Sequence, residues 1–327
     1  MSLGAAASSV EISGPVWIPS LPPSLETYLA PTLQPVPVLP ALAVVLAVLY
    51  LAGAIRVWAS GRRWSVPATL SFLTGCVVIA VVMGAGVEGY GLRLFSVFMF
   101  QQLTLMMAVP PLLVLGRPGT LLLRALPHNA AGRAAMGAAR WGLRSRLGRF
   151  AIHPALMIPL FLLSFYGIYL SPLADRLLRT WAGHVGLELL FLVAGILFTV
   201  PVLSTDPLPT RQTHVGRALD LFAEMPLHAF FGVVLMMAPV PLVAFFASPP
   251  QAWGVDPLRE QQVAGGLAWS YGEAPTLLML LLVLARWQRA DTAQAEVTDR
   301  QIDAQGNAEL DAYNAYLARL NERSNPG

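Results

Sequence analysis

The chain has 327 residues, of which 56% are apolar and only 12% charged. Soluble proteins carry about a quarter of their residues as charges; half that fraction excludes an ordinary cytosolic protein and leaves an integral membrane protein. A net charge of +3 is too small to indicate nucleic acid, and the single cysteine, Cys76, excludes an internal disulfide or a paired-cysteine metal site.

Residues 1–36 are rich in Ser, Pro and Leu and carry no arginine. Without a positive n-region they read as an exported N-terminal tail, not a signal peptide. Seven apolar segments follow, near 39–59, 66–86, 93–115, 152–171, 182–201, 225–247 and 261–285. Each has the roughly 20 residues a bilayer crossing needs, and each must satisfy its backbone internally. The expected fold is all-α: a polytopic bundle of seven transmembrane helices over 37–287. Pro110, Pro111, Pro159, Pro239, Pro241 and Pro275 fall inside these segments and are expected to kink them. Residues 117–150 form an arginine-rich stretch with Trp141, expected as an interfacial helix on anionic lipid. Residues 288–327 turn charged and Ala-rich and read as a charged cytoplasmic tail, helical near 308–322.

Every one of the 21 basic residues is arginine. Seventeen of them lie in Arg56, the 60–65 turn, the 116–151 and 202–224 loops and the tail; only Arg93, Arg176, Arg179 and Arg259 lie on the other side. The bias puts those loops and the C-terminus in the cytoplasm and the N-terminus outside.

Ionisable groups within spans are costly and mark interiors or sites. Glu188 and Glu273 read as the only carboxylates within spans. His184 is one turn before Glu188, so both reach one face, and i,i+4 spacing suits one ion. Trp269 is likewise one turn before Glu273. Gln101, Gln102, His184, Glu188, Glu260, Gln261 and Gln262 are expected to line an outward-facing polar pocket; the bland alternative is that the amides merely bond between helices. His153 and His228 sit near the inner boundary, with Gln102, Trp269 and Glu273 as further interior positions. Met99 and Met106 share a helix face and offer thioethers, soft donors for Cu(I), although methionine more often fills core space. The repeat of Leu105-Met106-Met107-Ala108 as Leu235-Met236-Met237-Ala238, each followed by prolines, suggests either an inverted repeat or chance.

The third segment reads Phe98-Met99-Phe100-Gln101-Gln102-Leu103 and runs on through Met106-Met107-Ala108-Val109-Pro110-Pro111-Leu112-Leu113-Val114-Leu115-Gly116. It resembles the HMxQHxxLxxxxPPLLVLG signature of the CtaG-type cytochrome c oxidase assembly proteins. His153-Pro154, Asp206-Pro207, Met225 to Gly232, Gln261 to Trp269 with Gly272 to Thr276, and Glu309 to Leu317 resemble the actinobacterial branch, in family order. The resemblance implies a seven-helix protein of a bacterial plasma membrane that helps mature an aa3-type oxidase by delivering copper to its catalytic subunit. Its partners would be oxidase subunits and the lipid bilayer, with no nucleic acid and no enzyme activity. A fused copper-transport domain found in some relatives has no room here. Phe98 and Gln102 stand where the signature has histidines, and a phenyl ring cannot coordinate copper. The expected reduced metal set is His184, Glu188, Met99 and Met106. Two other readings stay open: a non-metal structural partner of a respiratory complex, and an ion or small-molecule transporter suggested by the buried glutamates.

Overall fold

The computed structural model describes residues 11–127, 129–151, 153–208, 212–305 and 308–324. The expectations for residues 1–10 and His128 lie outside them. The described chain is helical, and its only β contact is a single bridge between Ser13 and Thr180. Two compact units divide it, Met1–Leu280 and Leu281–Gly327.

In the first unit α1 (Leu25–Leu29) precedes α2 (Val38–Ala59) and α3 (Val66–Val82). In α2 Leu39, Ala43, Tyr50, Ala54 and Val57 are buried while Val44, Val45, Val48, Leu49 and Ile55 are exposed. The buried set recurs at helical spacing, and the exposed face is equally apolar, which suits lipid and not water. Ser65 caps α3 by accepting from the Ala68 amide. The short α4 (Val87–Gly91) leads into α5 (Phe95–Leu103), a π-helical turn (Thr104–Ala108), α6 (Val109–Leu115) and α7 (Pro118–Ala125). Pro110 and Pro111 have no N–H, so the Met106 and Met107 carbonyls lose their usual donors four residues on. The π turn at Thr104–Ala108 stands just before these prolines. The Met106 carbonyl packs on α12 (Trp181–Leu203) at Gly195, where a Cβ would stand 2.1 Å from the oxygen.

The arginine-rich stretch forms α8 (Ala130–Arg144) and α9 (Arg146–Ala151), with Trp141 exposed. Next come α10 (Pro154–Leu162), a second π turn (Leu163–Gly167) and α11 (Leu173–Leu178). Asp206, just past α12, accepts from the Gly119 and Thr120 amides at 2.9 and 2.8 Å and from the Thr120 hydroxyl. It thereby supplies from a distant loop the cap that Arg117 cannot give α7.

The sixth segment differs from expectation. α13 runs His214–Met237, so it starts well before 225 and ends before Pro239 and Pro241. Thr213 caps it by accepting from the Gly216 amide. Its first turns carry Arg217, Asp220 and Glu224, charges that read as a loop in sequence but sit within the helix. Glu224 is buried, so Glu188 and Glu273 are not the only helical carboxylates inside the protein. Pro239 and Pro241 end a helix and kink nothing. The repeated Leu-Met-Met-Ala is a π turn in one place and a helix end in the other, which removes the support for an inverted repeat.

The last long helix, α14 (Pro257–Gln305), begins in the first unit, and α15 (Ala308–Ser324) lies in the second. Among the described residues five helical runs are long and apolar enough to cross a membrane: Val38–Ala59, Phe95–Ala125, Trp181–Leu203, His214–Met237 and Pro257–Ile302. α3 and the α10 segment are shorter.

Residues 11–37 do not hang free. The Ser13 amide donates to the Arg179 carbonyl and the Trp181 amide to the Ser13 carbonyl, both at 2.9 Å. Gln34 bonds the Trp17 amide and carbonyl. Gly86 donates to the Ala30 carbonyl at 2.7 Å, and a Cβ on Gly89 would meet the Trp17 ring at 2.5 Å. The glycines around α4 thus let the N-terminal segment lie directly on it.

Candidate metal centre

α4 and the start of α12 meet beneath that segment. Thr180 caps α12 through the Gly183 amide at 3.0 Å, fixing its first turns and with them His184 and Glu188. One donor atom each from Glu88 of α4, His184 and Glu188 lies within 4.8 Å of the other two. His184 Nε2 and Glu188 Oε1 are 3.6 Å apart. All three residues are buried. They edge a cavity of about 20 Å³, room for one water or ion, closed by Val16, Gln34 and Pro37 of the N-terminal segment and by Met83.

The polar atoms here are under-satisfied. Neither His184 ring nitrogen nor Glu188 Oε1 has a hydrogen-bond partner in the protein. Glu88 Oε2 accepts from Gln101 Nε2 at 2.5 Å, and that amide also donates to the Val82 carbonyl. Burial pushes the Glu88 carboxyl up to about 7, against the opposing pull of hydrogen bonds with Glu188 and Gln101. Buried polar atoms without partners cost free energy, and two carboxyls facing one imidazole are what a cation would satisfy.

The structure brings together part of the set expected from sequence. His184 and Glu188 meet, and Glu88 joins them. Met99 and Met106 are buried but do not line the cavity; the thioether there is Met83. Met106 lies beside Gly195, seven residues and about 10 Å along α12 from Glu188.

The expected single polar pocket is three separate hydrogen-bonded places. Gln102 accepts from the Tyr169 hydroxyl and donates to the Ser164 carbonyl. Gln261 accepts from the Leu242 amide and donates to the Leu235 carbonyl. Glu260 accepts from the Ser96 hydroxyl, and Gln262 is exposed. These amides bond between helices, and Gln101 alone reaches the centre.

His228 is fully buried and stands 3.6 Å from Glu273. Trp269, 52% exposed, and His153, also exposed, are surface positions and not interior ones. An apolar helix buries some faces and shows others to lipid, and spacing alone did not say which. Glu88 escaped the sequence reading because it lies between spans, although acids are scarce and this one sits in a glycine-rich turn.

Phe98 packs on His184 with ring centres 5.0 Å apart. The position where the resembled signature has an imidazole therefore adjoins the centre.

The model of the family described as cytochrome c oxidase caa3 assembly factor matches residues 48–290. The chain is 40% identical over 281 residues to uncharacterized proteins of Mycobacterium bovis and Mycobacterium tuberculosis, and 38% identical over 286 residues to one of Mycobacterium leprae. These alignments cover 85–86% of this chain but 42–43% of the relatives, so the chain spans less than half their length. No solved structure matches it.

Proposed function

The chain belongs to the cytochrome c oxidase caa3 assembly factor family, and on that premise we propose that it delivers copper to the catalytic subunit of an aa3-type oxidase, through Glu88, His184 and Glu188. The observation that carries this reading is the convergence of three buried donor residues, two of which, His184 and Glu188, have unpartnered atoms, beneath residues of the N-terminal segment. Two carboxylates and an imidazole are hard to borderline donors. They suit a divalent ion, and among first-row divalent ions Cu(II) binds such donors most tightly. Three protein ligands would leave a coordination position open, at which a donor of the receiving site could take hold of the ion. Gln101 orients Glu88, and Phe98 excludes water from one side of His184.

In this reading the chain crosses a bacterial plasma membrane seven times, N-terminus outside, with 17 of its 21 arginines on the inner side. The cavity then opens toward the outer face, and the partners are oxidase subunits and lipid. Nothing in the role requires bond-making catalysis.

Titration of the purified protein with Cu(II) tests the reading. One equivalent bound, and lost in His184→Ala, supports it; no stoichiometric copper rejects it. A second reading is a metal-free accessory partner of the oxidase. The side chain where the signature has its second histidine, Gln102, is fully engaged with Tyr169 and Ser164 and offers no ligand. Co-purification with the mature oxidase in the absence of copper would favour it.

A further inference from the structure

A second group of donors lies deeper in the bundle. Met107 follows Phe98 by nine residues on the same helical run, about 13 Å further along at 1.5 Å per residue. α14 faces it with Gly272. A Cβ built on Gly272 would stand 3.0 Å from Met107 Sδ and 3.2 Å from His228 Nε2. Both side chains close on the bare Gly272 backbone, so the thioether sulfur and the imidazole nitrogen lie no more than about 6 Å apart.

The protonation of that imidazole follows from its neighbour. His228 Nδ1 is 3.1 Å from the Glu224 carbonyl. A carbonyl oxygen only accepts, so Nδ1 carries the hydrogen, and in the neutral imidazole Nε2 then presents its lone pair. This is the arrangement by which metal-binding histidines are held, one nitrogen anchored to a backbone carbonyl and the other aimed at the ion. His228 is 0% exposed and Nε2 has no hydrogen-bond partner. A carboxylate oxygen, Glu273 Oε1, stands 3.6 Å from Nε2 on a side chain 35% exposed. Glu224, whose Oε2 is also unpartnered, stands beside Glu273.

We propose that Met107 and His228, both packed against Gly272 with Glu273 beside His228, form a second cation site selective for a soft monovalent ion, Cu(I). It differs from the centre at Glu88 in position and in chemistry: a thioether and a neutral imidazole against two carboxylates and an imidazole. Thioether ligands select Cu(I), and the flexible methionine side chain can close the remaining distance. The proposal does not depend on the outer centre binding anything.

The test is anaerobic competition for Cu(I) supplied as its bicinchoninate complex, on the full chain in detergent. Three variants are compared: Met107→Leu, which keeps side-chain volume and so the fold, Gly272→Ala, which presses a methyl against both Met107 Sδ and the His228 ring, and Glu88→Gln at the outer centre. Met107→Leu and Gly272→Ala are each expected to weaken Cu(I) binding at least about tenfold while leaving the Cu(II) titration unchanged. X-ray absorption of the Cu(I)-loaded wild type should show a sulfur neighbour that Met107→Leu removes. Unchanged Cu(I) affinity in both variants would overturn the proposal, as would loss of Cu(I) binding in Glu88→Gln alone. Should Glu88→Gln leave Cu(II) binding intact while Met107→Leu abolishes Cu(I) binding, the outer reading fails and this one stands.

Discussion

Replacing Glu88 by Gln should move two properties in opposite directions. Burial raises the Glu88 carboxyl from its ordinary 4.5 to about 7. At pH 8 the folded protein without metal therefore holds an ionised carboxylate at a cost of about 3 kcal/mol, taking 1.36 kcal/mol per pH unit. Gln removes the charge, keeps the shape and still accepts from Gln101 through its amide oxygen. The metal-free variant should be more stable than wild type by up to about 3 kcal/mol, a few degrees in Tm. The sign with pH follows. In the unfolded chain Glu88 ionises near 4.5 and in the fold near 7, so wild-type stability falls between those values and levels off above them. The advantage of Gln should be absent below about pH 4.5 and complete above about 7. Copper binding should respond in the other sense. Losing one charged contact, worth about 1.5–3 kcal/mol, weakens binding roughly 10- to 100-fold. Melting curves across pH and a Cu(II) titration at pH 8 measure both. A metal-free variant less stable than wild type at pH 8, or one with undiminished copper affinity, would refute the reasoning.

Phe98→His places a second imidazole against His184 and should raise copper affinity at least about tenfold by titration; no gain would mean that position 98 does not face the ion. Asp206→Ala strips the Gly119 and Thr120 amides of their acceptor and should lower stability by about 1–3 kcal/mol in a thermal melt. Gly195→Ala drives a methyl into the Met106 carbonyl and should cost about 1–3 kcal/mol, with Gly195→Leu failing to fold. Single cysteines at Gly61 and Trp141, in a Cys76→Ala background, should react with an impermeant thiol reagent only after the cells are opened; labelling of intact cells would contradict the orientation inferred from the arginines.

Much of the fold was legible because its cause is local. Lipid demands long apolar helices, so α2, the third helical run and α12 fall close to where apolar length places them. α13 did not, because Arg217, Asp220 and Glu224 look like a loop while Thr213 caps a helix that carries them inward. The pair His184 and Glu188 was legible from i,i+4 spacing alone. Glu88 was not, since its position depends on α4 folding back against α12 and on glycines that let Trp17 and residues 27–30 cover it. The methionines illustrate the same limit. Met99 and Met106 share a face, but tertiary packing decides which thioether reaches a cavity, and it selects Met83 for one and Met107 for the other.

The most direct test is made in the cell that produces the chain. Oxidase is purified from a strain lacking it, from that strain complemented with wild type, and from one complemented with Glu88→Gln combined with His184→Ala, and copper is measured per oxidase. The deletion and the double variant should yield copper-deficient, poorly active oxidase that wild type restores. Oxidase with its full copper complement and activity in the deletion strain would contradict the assignment of this chain to copper delivery.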